Sequence, residues 1–179
     1  ASVVGKARAS QLKTVLGVPP GENLRMIRDT VQYLTDAGME VFFDAEHFFD
    51  GFEEDEEYAL DVLSEAREAG AARLVLCDTN GGTLPAGIAR AVEKAARMIP
   101  APLGIHCHND AGLATAGTLA AVEAGCDHVQ GGVNGYGERC GNANLCEVLP
   151  NLILKMGIGC LEPGALPRLT DVSRAVGEI

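Results

Sequence analysis

The chain has 179 residues, 47% of them apolar and 22% charged, a balance that excludes wholesale disorder and leaves enough chain for a buried core. Fourteen basic against 25 acidic side chains give a net charge of −11, and Trp is absent, so neither a broad basic face for nucleic acid nor a base-stacking platform is expected. No run of about 18 apolar residues occurs, so no membrane-spanning helix, and no membrane partner, is expected.

In chain order, Ala1–Ser10 carries no apolar signal-peptide core, and the chain starts on Ala rather than Met, which hints at a cut chain. Ser2–Gly5 is a stub of strand pattern. Leu24, Ile27, Val31 and Leu34 make one stripe of a helix over Glu22–Ala37, with Gly38 as its stop. Glu40–His47 is a short apolar run. A helix follows over Asp55–Ala69 with Val62 and Leu63 on its stripe, and Glu53–Glu57 complements its dipole. The pattern then repeats: a strand over Arg73–Asp78, a helix over Leu84–Met98 with Pro85 near N1, and a strand over Leu103–His108. A small-residue helix over Ala111–Ala124, a strand over His128–Val133 and a helix over Asn144–Met156 bent at Pro150 complete it. The tail after Gly157 is read as a loop with a short helix.

Each strand is short and apolar and is expected to be buried on both faces. Strands alternating with helices every 25–35 residues or so predict a parallel sheet covered by helices, an α/β fold. No linker or second domain interrupts 1–179. Six scattered cysteines with no CxxC pair point to reduced thiols in a cytoplasmic protein.

Chemistry in such folds gathers at the carboxyl ends of strands, and those ends are polar here: DAEH (44–47), DTNGG (78–82), HCHND (106–110) and NGYGERCGN (134–142). His106 and His108 are two apart on a strand, so they share a face and suit a divalent metal; a hydrogen-bonded pair of core histidines is the plainer alternative. Asn109 and Asp110 read first as the cap of the next helix, compatible with a role behind the histidines. Asn142 could offer an amide oxygen to a hard cation. The glycine-rich loop lacks the spacing of a phosphate-binding loop or a dinucleotide fingerprint. Glu46 ends an apolar strand, where a carboxylate suits acid–base work, with an exposed loop charge as the alternative. Thr79 offers a hydroxyl to a substrate, and Asp78 is read as a turn former.

The combination FDAEHFFDG (43–51), LCDTNGGTLP (76–85), GIHCHNDAGLA (104–114) and NGYGERCGNANL (134–145) resembles the metal-dependent acyl-CoA condensing enzymes of the 2-isopropylmalate synthase and citramalate synthase family, which are related to hydroxymethylglutaryl-CoA lyase. DAEHFFDG tilts the resemblance to the citramalate branch. It covers about Glu22 to Gly157. It implies a (β/α)8 TIM barrel with a divalent metal, Mn2+, Mg2+ or Zn2+, held by His106, His108 and Asn142. Glu46 matches the family's active-site glutamate and Thr79 its keto-acid-binding threonine, with Asp44 facing the same pocket. The implied reaction is a Claisen-type condensation of acetyl-CoA with an α-keto acid, most simply pyruvate, in branched-chain amino-acid (isoleucine or leucine) biosynthesis. The family's arginine–aspartate pair at the end of its first strand has no match before Glu22, and its accessory C-terminal region is absent. The lyases' catalytic cysteine is replaced by Val133, which disfavours cleavage.

A complete (β/α)8 barrel takes about 250 residues. The chain therefore reads as the second half of one, about four βα units, whose open edges invite a homodimer or other self-association. A non-catalytic half-barrel that binds metal or pairs with itself is the competing expectation.

Overall fold

The computed structural model describes all 179 residues. Five parallel strands form one sheet in the order β1-β2-β3-β4-β5: β1 Ser2–Lys6, β2 Phe42–Glu46, β3 Arg73–Asp78, β4 Leu103–Cys107 and β5 His128–Gln130. Helices α1 (Ala9–Gln11), α2 (Pro20–Asp36), α3 (Phe48–Glu54), α4 (Glu56–Glu68), α5 (Pro85–Met98) and α6 (Ala114–Glu123) fill the crossovers that parallel pairs require. After β5 come α7 (Leu145–Leu154) and α8 (Leu169–Gly177).

Four strands and a stub become five strands: β1 is a full partner, in register from Ser2 against Phe42 to Lys6 against Glu46. Three expected strands shorten, β4 by the single residue His108. His47 turns into the left-handed region (φ 57) and ends β2, and Val133–Gly135 winds into a 3-10 turn instead of extending β5. The helix expected from Ala111 starts at Ala114, whose N–H donates to Asn109 Oδ1 at 3.1 Å. Helix α3 lay in no expected element. Its Phe48, Phe49 and Phe52 are buried, and Gly51 touches the exit of β1 so closely that a methyl group there would overlap the Ala7 carbonyl oxygen.

The helices read as expected follow their local chemistry. Pro20 and Pro85 open α2 and α5. Asp55 caps α4 by accepting from Tyr58 N–H at 3.1 Å, and Asn144 caps α7 by accepting from Cys146 N–H at 3.0 Å. Buried Asn23 on α2 donates to the Lys6 carbonyl at 2.9 Å and the Tyr58 hydroxyl at 2.8 Å, tying β1, α2 and α4 together.

The expectation of strands apolar on both faces holds for β3, where Val75 and Cys77 are buried opposite Leu74 and Leu76, and fails for β2, β4 and β5 for a geometric reason. Phe43, Ala45, Leu74, Leu76, Leu103, Ile105 and Cys107 alternate onto one face and are buried beneath the helices, each large one contributing about 1.5–3 kcal/mol. The other face carries Asp44, Glu46, His106 and Gln130. That face is concave. Strands three apart on a flat sheet lie about 14 Å apart, yet Gln130 of β5 hydrogen-bonds Asp44 of β2, and the His128 and Phe42 rings meet edge-on at 5.2 Å. Only a sheet curled like a barrel wall brings those side chains together.

Candidate active site

The concave face collects its polar groups at the carboxyl ends of the strands. Glu46 ends β2 and Lys6 ends β1; they are register neighbours, and Glu46 Oε2 lies 2.5 Å from Lys6 Nζ. Sequence reasoning missed Lys6, because β1 is too short to show its period. The lysine gives the site a cation in a chain of net charge −11.

Asp44, one pleat below Glu46, faces the same interior. Its oxygens accept from Ser2 Oγ at 2.7 Å and from Gln130 Nε2 at 3.1 Å. Gln130 Oε1 in turn lies 2.7 Å from His106 Nδ1. Gln130 is also absent from the sequence-based candidates. Its partners lie 24 and 86 residues away, so no local motif marks it.

His108 and Asn142 are joined by backbone. Asn109 N–H donates to the Gly141 carbonyl at 2.9 Å and Ala143 N–H to the Cys107 carbonyl at 3.0 Å, which makes 108 and 142 an antiparallel bridge. This is the pairing in which facing side chains come closest. The loop reaches this position through tight turns. Gly141 has φ +93, and a Cβ on Gly137 would stand 2.5 Å from Asn142 Oδ1. The His106 and His108 rings sit 5.1 Å apart.

Two buried polar atoms at this place have no protein partner, His108 Nδ1 and Asn142 Oδ1. Each such group costs about 1–3 kcal/mol if left unsatisfied. Burial first, and then the charges of His106 and Arg139, push His108 below the ordinary imidazole range, which favours the neutral ring and its lone pair. Two imidazoles and an amide oxygen are donors a divalent cation accepts, so the residues present fit a metal. No group of three or more His, Cys, Asp and Glu side chains is placed to hold one; Asn142 completes the donor set in place of an acid.

Thr79 follows β3. Its Oγ1 accepts from His47 N–H at 2.8 Å, which leaves the hydroxyl proton free to be donated. His47 itself turns away to Asp50 at 2.9 Å. Asp110 and Asn109 bond neither histidine. Arg139 grips both oxygens of Asp110 at 2.9 and 3.0 Å and donates to the Thr79 carbonyl at 2.6 Å, so its guanidinium holds the Asp110 carboxyl below its usual range. Asn109 secures the start of α6. Asp78 is buried, its carboxyl pushed up by that burial, and accepts from Thr83 Oγ1 at 2.8 Å as a turn former. All six cysteines are unpaired.

A curled parallel sheet of successive βα units, with its polar groups at the carboxyl ends, defines the barrel-type α/β class that places its chemistry at that mouth. The HMGL-like family model matches residues 1–176, and the chain belongs to that family. It is 48% identical over 99% of its length to an (R)-citramalate synthase of Synechocystis, and it covers 34% of that relative. It is 42% identical over 93% of its length to a homocitrate synthase of Methanopyrus kandleri, of which it covers 41%. Among solved structures, the HMG-CoA lyase of Bacillus subtilis superposes with a TM-score of 0.83 at 21% identity, over 99% of this chain and 62% of that one. The fold is thus a fragment of the TIM-barrel type, and the chain spans about a third of the length of the citramalate synthase relative. No helix is long and apolar enough to cross a membrane.

Proposed function

We propose that the protein carrying this chain condenses acetyl-CoA with an α-keto acid, pyruvate first among them, to give (R)-citramalate and free CoA in the cytoplasm. The observation that carries this reading is the pair of unpartnered buried atoms, His108 Nδ1 and Asn142 Oδ1, on residues that face each other across a backbone bridge, with the His106 ring 5.1 Å from that of His108. His106, His108 and Asn142 would hold a divalent metal, Mn2+, Mg2+ or Zn2+. When bound, it supplies Lewis acidity to the keto group.

The chain's own residues do the rest. The Thr79 hydroxyl, fixed by His47 N–H, donates its proton in a hydrogen bond to the keto-acid carboxylate. Glu46 faces the acetyl methyl group as the carboxylate that takes or orients its proton, and Lys6 holds that carboxylate in one orientation. The new carbon–carbon bond joins the acetyl methyl carbon to the keto carbon. Water then cleaves the thioester, releasing CoA and a 2-hydroxy diacid. The citramalate synthase relatives and the DAEHFFDG segment favour pyruvate. The unpaired outer edges of β1 and β5 support association with a second copy or with the rest of the longer protein, which light scattering reads directly.

The test is CoA-thiol release from acetyl-CoA with pyruvate and Mn2+ or Mg2+. Release is expected with pyruvate; a preference for 2-oxoisovalerate moves the reading to isopropylmalate synthesis. No release with any keto acid sinks it.

A further inference from the structure

The concave face holds a chain of hydrogen bonds that the proposed chemistry does not use: Ser2 to Asp44, Asp44 to Gln130, Gln130 to His106. Its polarity can be read from one end to the other. An ionised carboxylate only accepts, so the Gln130 group facing Asp44 Oδ1 at 3.1 Å is its NH2. The amide oxygen then faces His106 Nδ1 at 2.7 Å and can only accept. His106 Nδ1 must therefore carry the proton, and the lone pair of the neutral ring is confined to Nε2. Ser2 Oγ–H, donating to Oδ2 at 2.7 Å, occupies the second Asp44 oxygen and keeps the carboxylate from rotating away.

We propose that Gln130 and Asp44 are positioning residues. Asp44 sets the orientation of the Gln130 amide, and Gln130 sets the tautomer and ring orientation of His106, so that Nε2 is presented as the ligating atom. This rests on the metal reading above and reassigns Asp44 from substrate contact to His106 control. The arrangement spans the fold. Asp44 belongs to β2, Gln130 to β5 and His106 to β4, so the curl of the sheet itself determines which histidine nitrogen is free. A partner that orients a ligating imidazole is worth about 10–100-fold in metal affinity.

The experiment uses the full-length protein with ring-15N-labelled histidine, first without metal. The His106 nitrogens are expected to report Nδ1–H in the parent and in Asp44→Asn, whose amide oxygen can still accept from Gln130. Gln130→Leu and Asp44→Leu are expected to populate Nε2–H, because the acceptor is removed in the first and free to flip in the second. Mn2+ titration is expected to weaken about 10–100-fold in Gln130→Leu and to stay near the parent in Asp44→Asn. Unchanged thermal unfolding of the variants separates tautomer control from misfolding. A parent His106 carrying its proton on Nε2, or a parent-like tautomer in Gln130→Leu, overturns the proposal by itself. Mn2+ binding unchanged in His106→Ala overturns the metal reading beneath it, and the metal-free spectra keep the two failures apart.

Discussion

Phe43 and Asp44 are neighbours in β2 and live under opposite rules. Phe43 is fully buried beneath the helices, against a Gly5 whose missing Cβ would stand 2.6 Å from its ring. Asp44 points to the concave side and spends its oxygens on Ser2 and Gln130. The same alternation separates Leu76 from Cys77 and Ile105 from His106. The convex face is held by carbon packing, where stability depends on volume. The concave face, around the buried Val75 and Cys77, is held by directed hydrogen bonds and ion pairs, where function depends on which atom faces which. Damage on the two sides should therefore differ in kind.

The sharpest way to break that contrast is Phe43→Ala. It empties a close-packed site and should cost about 3–5 kcal/mol of stability, read by denaturant unfolding; a cost under about 1 kcal/mol would remove the distinction. On the other face, Glu46→Gln should lower CoA release about a hundredfold or more, about 2.7 kcal/mol in the barrier, with little change in unfolding. Asn142→Ala should weaken Mn2+ about tenfold, about 1.4 kcal/mol, by calorimetric titration, again at nearly unchanged stability. The smallest effect is at the rim. Glu54 accepts from Arg8 Nε at 2.8 Å and from Ser10 N–H and Oγ at 2.9 and 2.8 Å, and the Arg8 hydrogen bond holds its carboxyl below the usual value of 4.5. A depressed acid stabilises above its unfolded pKa and loses that contribution as the pH falls through its folded one. Melting temperatures measured downward from about pH 4.5 should therefore drop less in Glu54→Gln than in the parent, and the variant should lose only about 0.5–1 kcal/mol at neutral pH.

The convex half of this comparison was legible in the sequence, because its signals are local. Val41, Phe43 and Ala45 announce a strand, Gly38 and Gly70 stop helices, and Pro85 starts one. The concave half was legible only where motifs compress it. His106 and His108 lie two residues apart, and Glu46, Thr79 and Asn142 sit in short polar runs at strand ends. Lys6 and Gln130 were not, since each gains meaning from a partner that is distant in sequence and is reached only once the sheet curls. Helix α3 was hidden because FFDGFEE mixes aromatic residues with Asp and Gly. What makes it helical is tertiary: the Gly51 contact with Ala7 and a left-handed His47 before it.

The strictly sequential strand order has a consequence for assembly. Each strand joins the one made just before it, from 40 residues away for Ser2 and Phe42 to 24 for Gly104 and His128, so loop-closure costs stay modest and structure can accrete in the direction of synthesis. Asn142 arrives last. The bridge that sets it against His108 joins segments that follow β4 and β5 in the chain, so a nascent chain can complete its sheet before Asn142 is in place. On the metal reading proposed above, capture of the ion would be a late event that follows the framework holding it.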